Sequence, residues 1–384
     1  SGLTGSAIMA LGYWLASIGI ITAGNDEDAK QQGFDNLTGG QNYALNIGNS
    51  SYTLDWAAPS AIPLFMGAEY FNRKGEDLSA QELVNSLLRV GDPLVEMSML
   101  QGLEGAIRTA AYIQSPLVDI PVNALASYAS QGVPTLFGQV ARTIDDTRRI
   151  TYVEKGDIKP ISATLQKAQA KIPFASQGLT PRIDAWGREV KQQGSNALSR
   201  AAQNMLSPGY YSESNKTAVD SELERLYKQG VEHNPYPQLA PRFFNVDGER
   251  IGLTSKEWEI YAKEKGQQSL QLVTDIMETP YYKNADDGEK AKAISAAYEY
   301  ANALAKSKVS DYELDGWMAK AQSSPVSVDE YIVQRNRYND FDSKKDKDGK
   351  VVESASDQYR RALFADSSLS ASEKASLDRD MTGA

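Results

Sequence analysis

Hydrophobic and polar positions change their rhythm along this chain. From Leu3 to Gly24 apolar and small residues run almost unbroken, and the first charged side chain is Asp26. The run predicts one helix over 3–24, which at ~1.5 Å per residue would reach about 33 Å, the thickness of a bilayer's hydrocarbon core. Gly5, Gly12, Ala16, Gly19 and Ala23 recur along it at heptad-like spacing. One face of such a helix is nearly bare backbone and admits a second helix at close range. Trp14 and Ile18 give the same helix its bulk. Two roles compete for it, a packing helix buried among others and a membrane-competent one. Four glycines, each lowering intrinsic helicity by up to ~1 kcal/mol, favour packing. The run has no basic n-region, so a secretory leader is not expected.

Two further apolar stretches follow, and prolines interrupt both. DWAAPSAIPLFMGAEYF (55–71) contains Pro59 and Pro63, and the span 109–141 contains Pro116, Pro121 and Pro134 with Asp119 as its one charge. An internal proline removes a helix hydrogen bond and clashes with the preceding turn, so short kinked helices are expected rather than spanning ones. Residues 3–24, 56–71 and 109–141 would then make one apolar region, membrane-competent or buried in an oligomer.

Beyond residue 150 the pattern loosens and then turns regular. Prolines and polar loop residues predict connecting segments over 151–250, with shorter helices at 165–171, 181–205 and 217–231. FFNVDGERIGL (243–253) alternates around Asp247–Gly248, a hairpin signal. Thr254/Glu257 predicts a helix start by the capping box, with Leu253 and Trp258 as its hydrophobic staple. The same box recurs at Ser79/Glu82, Ser310/Glu313, Ser327/Glu330 and Ser370/Glu373. Ile294, Ala297, Tyr298, Ala301, Leu304 and Ala305 form one stripe at helical period, predicting a helix that packs on one side and faces water on the other. The fold class is therefore mainly α: multi-helix, elongated or bundle-like, with Pro-rich connecting segments and at most a small β-hairpin. Three domains are expected: 1–150, apolar and low in charge; 151–250, a Pro-rich linker with short helices; and 251–384, charged and amphipathic.

Charge sharpens that division. The first 141 residues carry 18 charged side chains and the following 243 carry 72. The net charge of −10 and pI near 4.9 argue against specific nucleic-acid binding, which needs clustered Lys and Arg. With no cysteine, disulfides, thiolate metal sites and Cys nucleophiles are excluded; with His233 alone, so are multi-His metal centres. His233 lies in a proline-rich loop, and no nucleophile elbow, phosphate loop or dinucleotide fingerprint accompanies it. DSKKDKDGK (342–350) fails as a calcium loop, because alignment on Gly349 puts Lys344 at the first ligand position and Ala355 at the twelfth. It reads as a charged turn between two helices. The acidic pairs Asp26/Asp28, Asp145/Asp146 and Asp286/Asp287 are adjacent rather than facing, and Asp286/Asp287 suits a helix start. No enzyme, cofactor or metal is expected.

Several phrases carry a resemblance: GSAIMALGYWLASIGIITAG at the start, KIPFASQGLTPRIDAWGREV (171–190), RFFNVDGERIGLTSKEWEIYAKEKG (242–266), ETPYYKNADDGEKAKAISAAYEYANALAK (278–306) and LFADSSLSASEKASLDRDM (363–381). Together they resemble the C-terminal region of bacteriophage large polyvalent proteins, internal virion or ejection proteins of tailed phages. The resemblance implies a non-enzymatic virion protein that assembles through helices and assists genome delivery, located in the head interior or tail lumen. Its implied partners are portal or tail components and copies of itself, with the host envelope contacted conditionally after ejection. A tail-lumen tape-measure fragment, an injected host-directed effector module and a hydrolase with a hidden site are the alternatives.

Overall fold

A computed structural model describes residues 2–23, 29–48, 50–54, 61–73, 145–153, 159–170, 172, 174–191, 211–213, 216–246, 248–340, 344–345 and 350–383. The expectations for 55–60, 109–141, the Ser79/Glu82 box, Asp26/Asp28 and the helix over 192–205 lie outside these residues. The chain forms two compact units: Ser1–Tyr152 with Asp157–Leu179 and Lys191–Lys216, and Val153–Gly156 with Thr180–Val190 and Thr217–Ala384. The 151–250 stretch is thus divided between both.

The first unit contains α1 (Gly2–Ser17), β1 (Ile21–Thr22), α2 (Ala29–Leu37), β2 (Ala44–Ile47), β3 (Ser50–Thr53), α3 (Ile62–Asn72), α4 (Lys159–Gln169) and β4 (Tyr211–Glu213). The helix predicted over 3–24 stops at Ser17. Gly19, with φ of 73°, takes the left-handed position of a Schellman stop, in which Gly19 N–H donates to the Ala16 carbonyl and Ile20 N–H to that of Leu15. Ile21 and Thr22 then pair with Leu45 and Ala44. They open a four-stranded antiparallel sheet in the order β1-β2-β3-β4. Pro63 does not break the second apolar run but opens α3 in its first turn, where the missing N–H is no loss.

The second unit is a helical assembly: α5 (Ala218–Lys228), β5 (Phe243–Val246), β6 (Glu249–Gly252), α6 (Ser255–Glu278), α7 (Pro280–Asn284), α8 (Asp287–Ser307), α9 (Gly316–Ser323), α10 (Val328–Asp340), β7 (Lys344–Lys345), β8 (Val351–Glu353), α11 (Ala355–Ala365) and α12 (Ala371–Thr382). The protein is mainly α, as its sequence predicts. Its β content exceeds one hairpin, because the four-stranded sheet and the β7–β8 pair join β5–β6. Val246 pairs with Glu249, and Gly248 has φ of 82°, the geometry foreseen for 243–253. The charged turn expected at 342–350 contributes strand β7 to the antiparallel pair β7–β8.

Thr254/Glu257 and Ser370/Glu373 close full capping boxes, and α10 starts directly after Ser327. Ser310/Glu313 starts no helix. Its Ser310 hydroxyl donates back to the Lys306 carbonyl at 2.9 Å, finishing α8, and α9 begins only at Gly316. Residues 181–190 are likewise no helix. Asp184 accepts the amides of Trp186 and Arg188, both at 2.9 Å, and Gly187 adopts φ of 73°, so the segment folds into a tight turn bridged at Ile183 and Glu189. This turn lies flat on α6, since a Cβ on Gly266 would stand 2.0 Å from the Gly187 nitrogen.

α8 is enclosed more widely than one stripe. Besides Ile294, Ala297, Ala301 and Ala305, it buries Ala291, Ala293, Ala296, Tyr300 and Ala303. α6 and α10 both pack on it, and alanines let two neighbours approach at once. Leu304 and Tyr298 are only half-buried, with the Tyr298 hydroxyl donating to the Pro235 carbonyl at 2.8 Å.

Candidate functional site

The paired helices α1 and α3 form the most distinctive surface of the first unit. Gly12 is buried against α3 so closely that a Cβ there would lie 1.9 Å from the Leu64 carbonyl oxygen. Ala16, four residues on, packs half-buried against the core of Ile21, Ala23, Tyr43, Ala61, Phe65 and Ala68. Small residues at 12 and 16 therefore let α1 lie directly on a partner backbone. The predicted stripe does not continue beyond the end of α1. Gly5 lies in the first turns of α1, Gly19 stands outside the helix with open space around it, and Ala23 is buried beyond β1. The heptad reading failed because it ran through the Schellman stop.

Trp14 and Ile18 fall elsewhere. With Leu11 they occupy positions i, i+3 and i+7, which share one face of a helix. All three are exposed, at 47% for Leu11, 55% for Trp14 and 48% for Ile18. This face lies opposite the Gly12/Ala16 side by helical geometry. Tyr13 and Tyr70, also exposed, meet at the edge of the α1–α3 contact, with ring centroids 6.2 Å apart, and Tyr13 meets Phe71 edge-on at 5.3 Å. Leu11, Tyr13, Tyr70 and the contact residue Gly67 were missed from sequence. The i, i+3, i+7 spacing of 11, 14 and 18 was the available signal.

Beneath this pair the core holds one strained and partly polar spot. Tyr43 has φ of 50°, packs edge-on against Phe65 at 4.9 Å, and buries a hydroxyl that has no hydrogen-bond partner among the described residues. Burial, reinforced by the negative charge of Glu69, pushes its ionisation far up. Glu69 is itself buried and paired with Arg73 at 2.9 Å. The spot anchors α3 on the sheet.

The remaining sequence candidates are occupied structurally. Asp145 binds Arg149 at 2.9 Å, accepts the Thr147 amide and faces Ser176. Asp286 caps α8, and Asp287 binds Arg225 at 2.6 Å, which also holds Glu222 at 2.7 Å. His233 sits in a loop and is half-buried. A surface cavity of about 530 Å³ in the second unit is lined by Tyr281, Glu289, Arg337, Asp366, Ser367 and Ser368 among others, and the Arg337–Asp366 pair, 2.8 Å apart, forms part of its wall. Among the described residues no group of His, Asp and Glu could hold a metal, and no helix is long and apolar enough to cross a membrane.

No protein-family model matches the chain, and no curated protein and no solved structure matches it.

Proposed function

We propose that this chain belongs to a non-enzymatic bacteriophage virion protein that assembles through helices and assists genome delivery. The observation that carries the reading is the exposed Leu11/Trp14/Ile18 face, on a helix with no charged side chain. An apolar patch of this kind marks a surface for association. Its backing is firm, because α1 rests on α3 through glycine and is not free to rotate that face inward. The sequence phrases resembling phage ejection proteins supply the biological setting. The partners proposed are virion proteins, portal or tail components or further copies of this chain, with the host envelope reached only after release.

Mass spectrometry of purified particles, with electron microscopy to place and count the chain, tests the reading. Stoichiometric incorporation in the head interior or tail lumen is the expected result. A chain found free in infected cytoplasm and missing from particles would overturn it.

A further inference from the structure

A second surface, independent of the assembly reading, lies where α6 and α8 meet in the other unit. The Tyr261 hydroxyl donates to Asn302 Oδ1 at 2.6 Å, joining the two helices. Lys265 follows Tyr261 by one turn, and Lys306 follows Asn302 by one turn. The two lysines thus stand one turn beyond the Tyr261–Asn302 bond, each on its own helix, and Phe244, which borders Lys306, meets the Tyr261 ring at 5.3 Å.

Their head groups are held in place. Lys265 Nζ donates to the Gln238 carbonyl at 2.9 Å and to that of Leu239 at 3.3 Å. An ammonium has three N–H donors, so one remains. Lys306 Nζ lies 5.4 Å from the ring centroids of both Phe244 and Tyr312. Aromatic faces steady a cation without neutralising it. Asn302, half-buried, spends its oxygen on Tyr261, and its amide nitrogen adds two N–H donors. Neither lysine makes an ion pair with a carboxylate among the described residues, although the chain holds fifty acids against forty bases. Elsewhere in this unit Arg225, Lys263 and Arg360, whose ionisation is shifted upward, are each tied to acids, while Arg335, lowered by burial, lies over the Trp317 ring. Lys265 is pulled down as well, to about 8, by burial and then by the like charge of Lys306.

We infer that Lys265, Lys306 and the Asn302 amide form a binding site for a small oxyanion, a carboxylate or a phosphate. Each group offers donors, two carry full positive charge, and charge-assisted bonds to anionic oxygen are the strong class of hydrogen bond. An anion between the ammonium groups also relieves their mutual repulsion.

The test titrates the full chain with inorganic phosphate and, separately, with acetate, at ionic strength held constant with chloride. Binding is followed in the unmodified, uniformly ¹³C-labelled protein through the lysine side-chain Cε–H NMR signals, assigned with Lys265→Arg and Lys306→Arg. Saturable movement of the Lys265 and Lys306 signals together is expected, with phosphate or acetate identifying the preferred geometry of the oxyanion. Lys306→Met should weaken binding roughly tenfold, the loss of one charge-assisted bond, while Lys306→Arg keeps most of it. Matching melting curves for the variants separate lost binding from lost fold. Should Lys306→Met not fold, Lys265→Gln replaces it. The inference falls if neither anion saturates, or if the charge-removing variant binds as the wild type does.

Discussion

Gly12 of α1 and Gly67 of α3 are reciprocal contacts: each occupies the place where the opposite helix brings its backbone closest. A Cβ on Gly12 would meet the Leu64 carbonyl at 1.9 Å, and a Cβ on Gly67 would meet the Met9 carbonyl at 1.9 Å and the Tyr13 nitrogen at 2.8 Å. Neither obstacle is a flexible side chain, so only separation of the helices relieves the clash. Gly12→Ala and Gly67→Ala should each destabilise the first unit by about 1–3 kcal/mol, the range of overpacking. Gly33→Ala, on α2 with nothing within 4 Å, is the control, expected to be neutral or stabilising by up to ~1 kcal/mol. Denaturant melts of the three variants check this.

The exposed face behaves in the opposite way. Leu11→Asp, Trp14→Asp and Ile18→Asp alter residues that already meet solvent, so folding stability should change by no more than about 0.5 kcal/mol. Association should change strongly. Self-association in analytical ultracentrifugation, or co-flotation with vesicles after low-pH treatment, is expected to fall in each variant. Wild-type protein that stays monomeric and never partitions under these conditions would remove the physical basis for an assembly role.

Asp220 joins two elements that the sequence places far apart. It accepts the Thr217 amide at 2.9 Å to close the cap of α5, and the Trp186 indole N–H at 3.1 Å to hold the 181–190 turn. Asp220→Ala leaves a buried indole donor unsatisfied and opens a cap, each worth roughly 1–2 kcal/mol, so a loss of about 2–4 kcal/mol is expected. Asp220→Asn keeps an acceptor for only one of the two donors and should fall between. Trp186 fluorescence during denaturation reports both.

The same residues show how far the sequence could be read. Boxes written Thr or Ser with Glu three residues on were legible at 254 and 370, because capping is local and needs only four residues. Thr217/Asp220 and Asp286/Glu289 use the same geometry with one shorter acid or an acidic cap, and the narrower pattern passed over them. The stop of α1 was illegible for a different reason. Ile21 and Thr22 become a strand through Leu45 and Ala44, partners more than twenty residues away, and nothing within 3–24 announces them. The turn at 184–188 was hidden by apolar spacing that suits a helix, whereas its fold is set by one Asp side chain and one left-handed glycine. In the candidate site, glycine at 12 and bulk at 14 and 18 were legible. That they serve opposite faces of α1 became visible only once α3 was seated on one of them.

Acid tests the second unit through Asp366. Burial works against its charge, but the Ser368 hydroxyl and amide and the Arg337 guanidinium outweigh burial and bring it down to about 2. The Ser368 amide donates at 2.9 Å and Arg337 at 2.8 Å. A carboxylate whose folded pKa lies below its unfolded value of about 3.9 adds stability that is fully present above that value. The contribution is lost as pH falls through about 2, when the folded form takes up the proton as well. Allowing for solvent around the pair, the contribution is about 1–2 kcal/mol. Asp366→Asn should therefore lower stability at pH 7 by that amount and flatten the pH dependence between about 4 and 2, relative to wild type. The Arg337→Met variant should do the same less completely, because the Ser368 bonds remain. Denaturant melts of the three proteins at pH 7, 4 and 2.5 measure the difference, and parallel curves for wild type and Asp366→Asn would show that the pair carries no proton-linked stability.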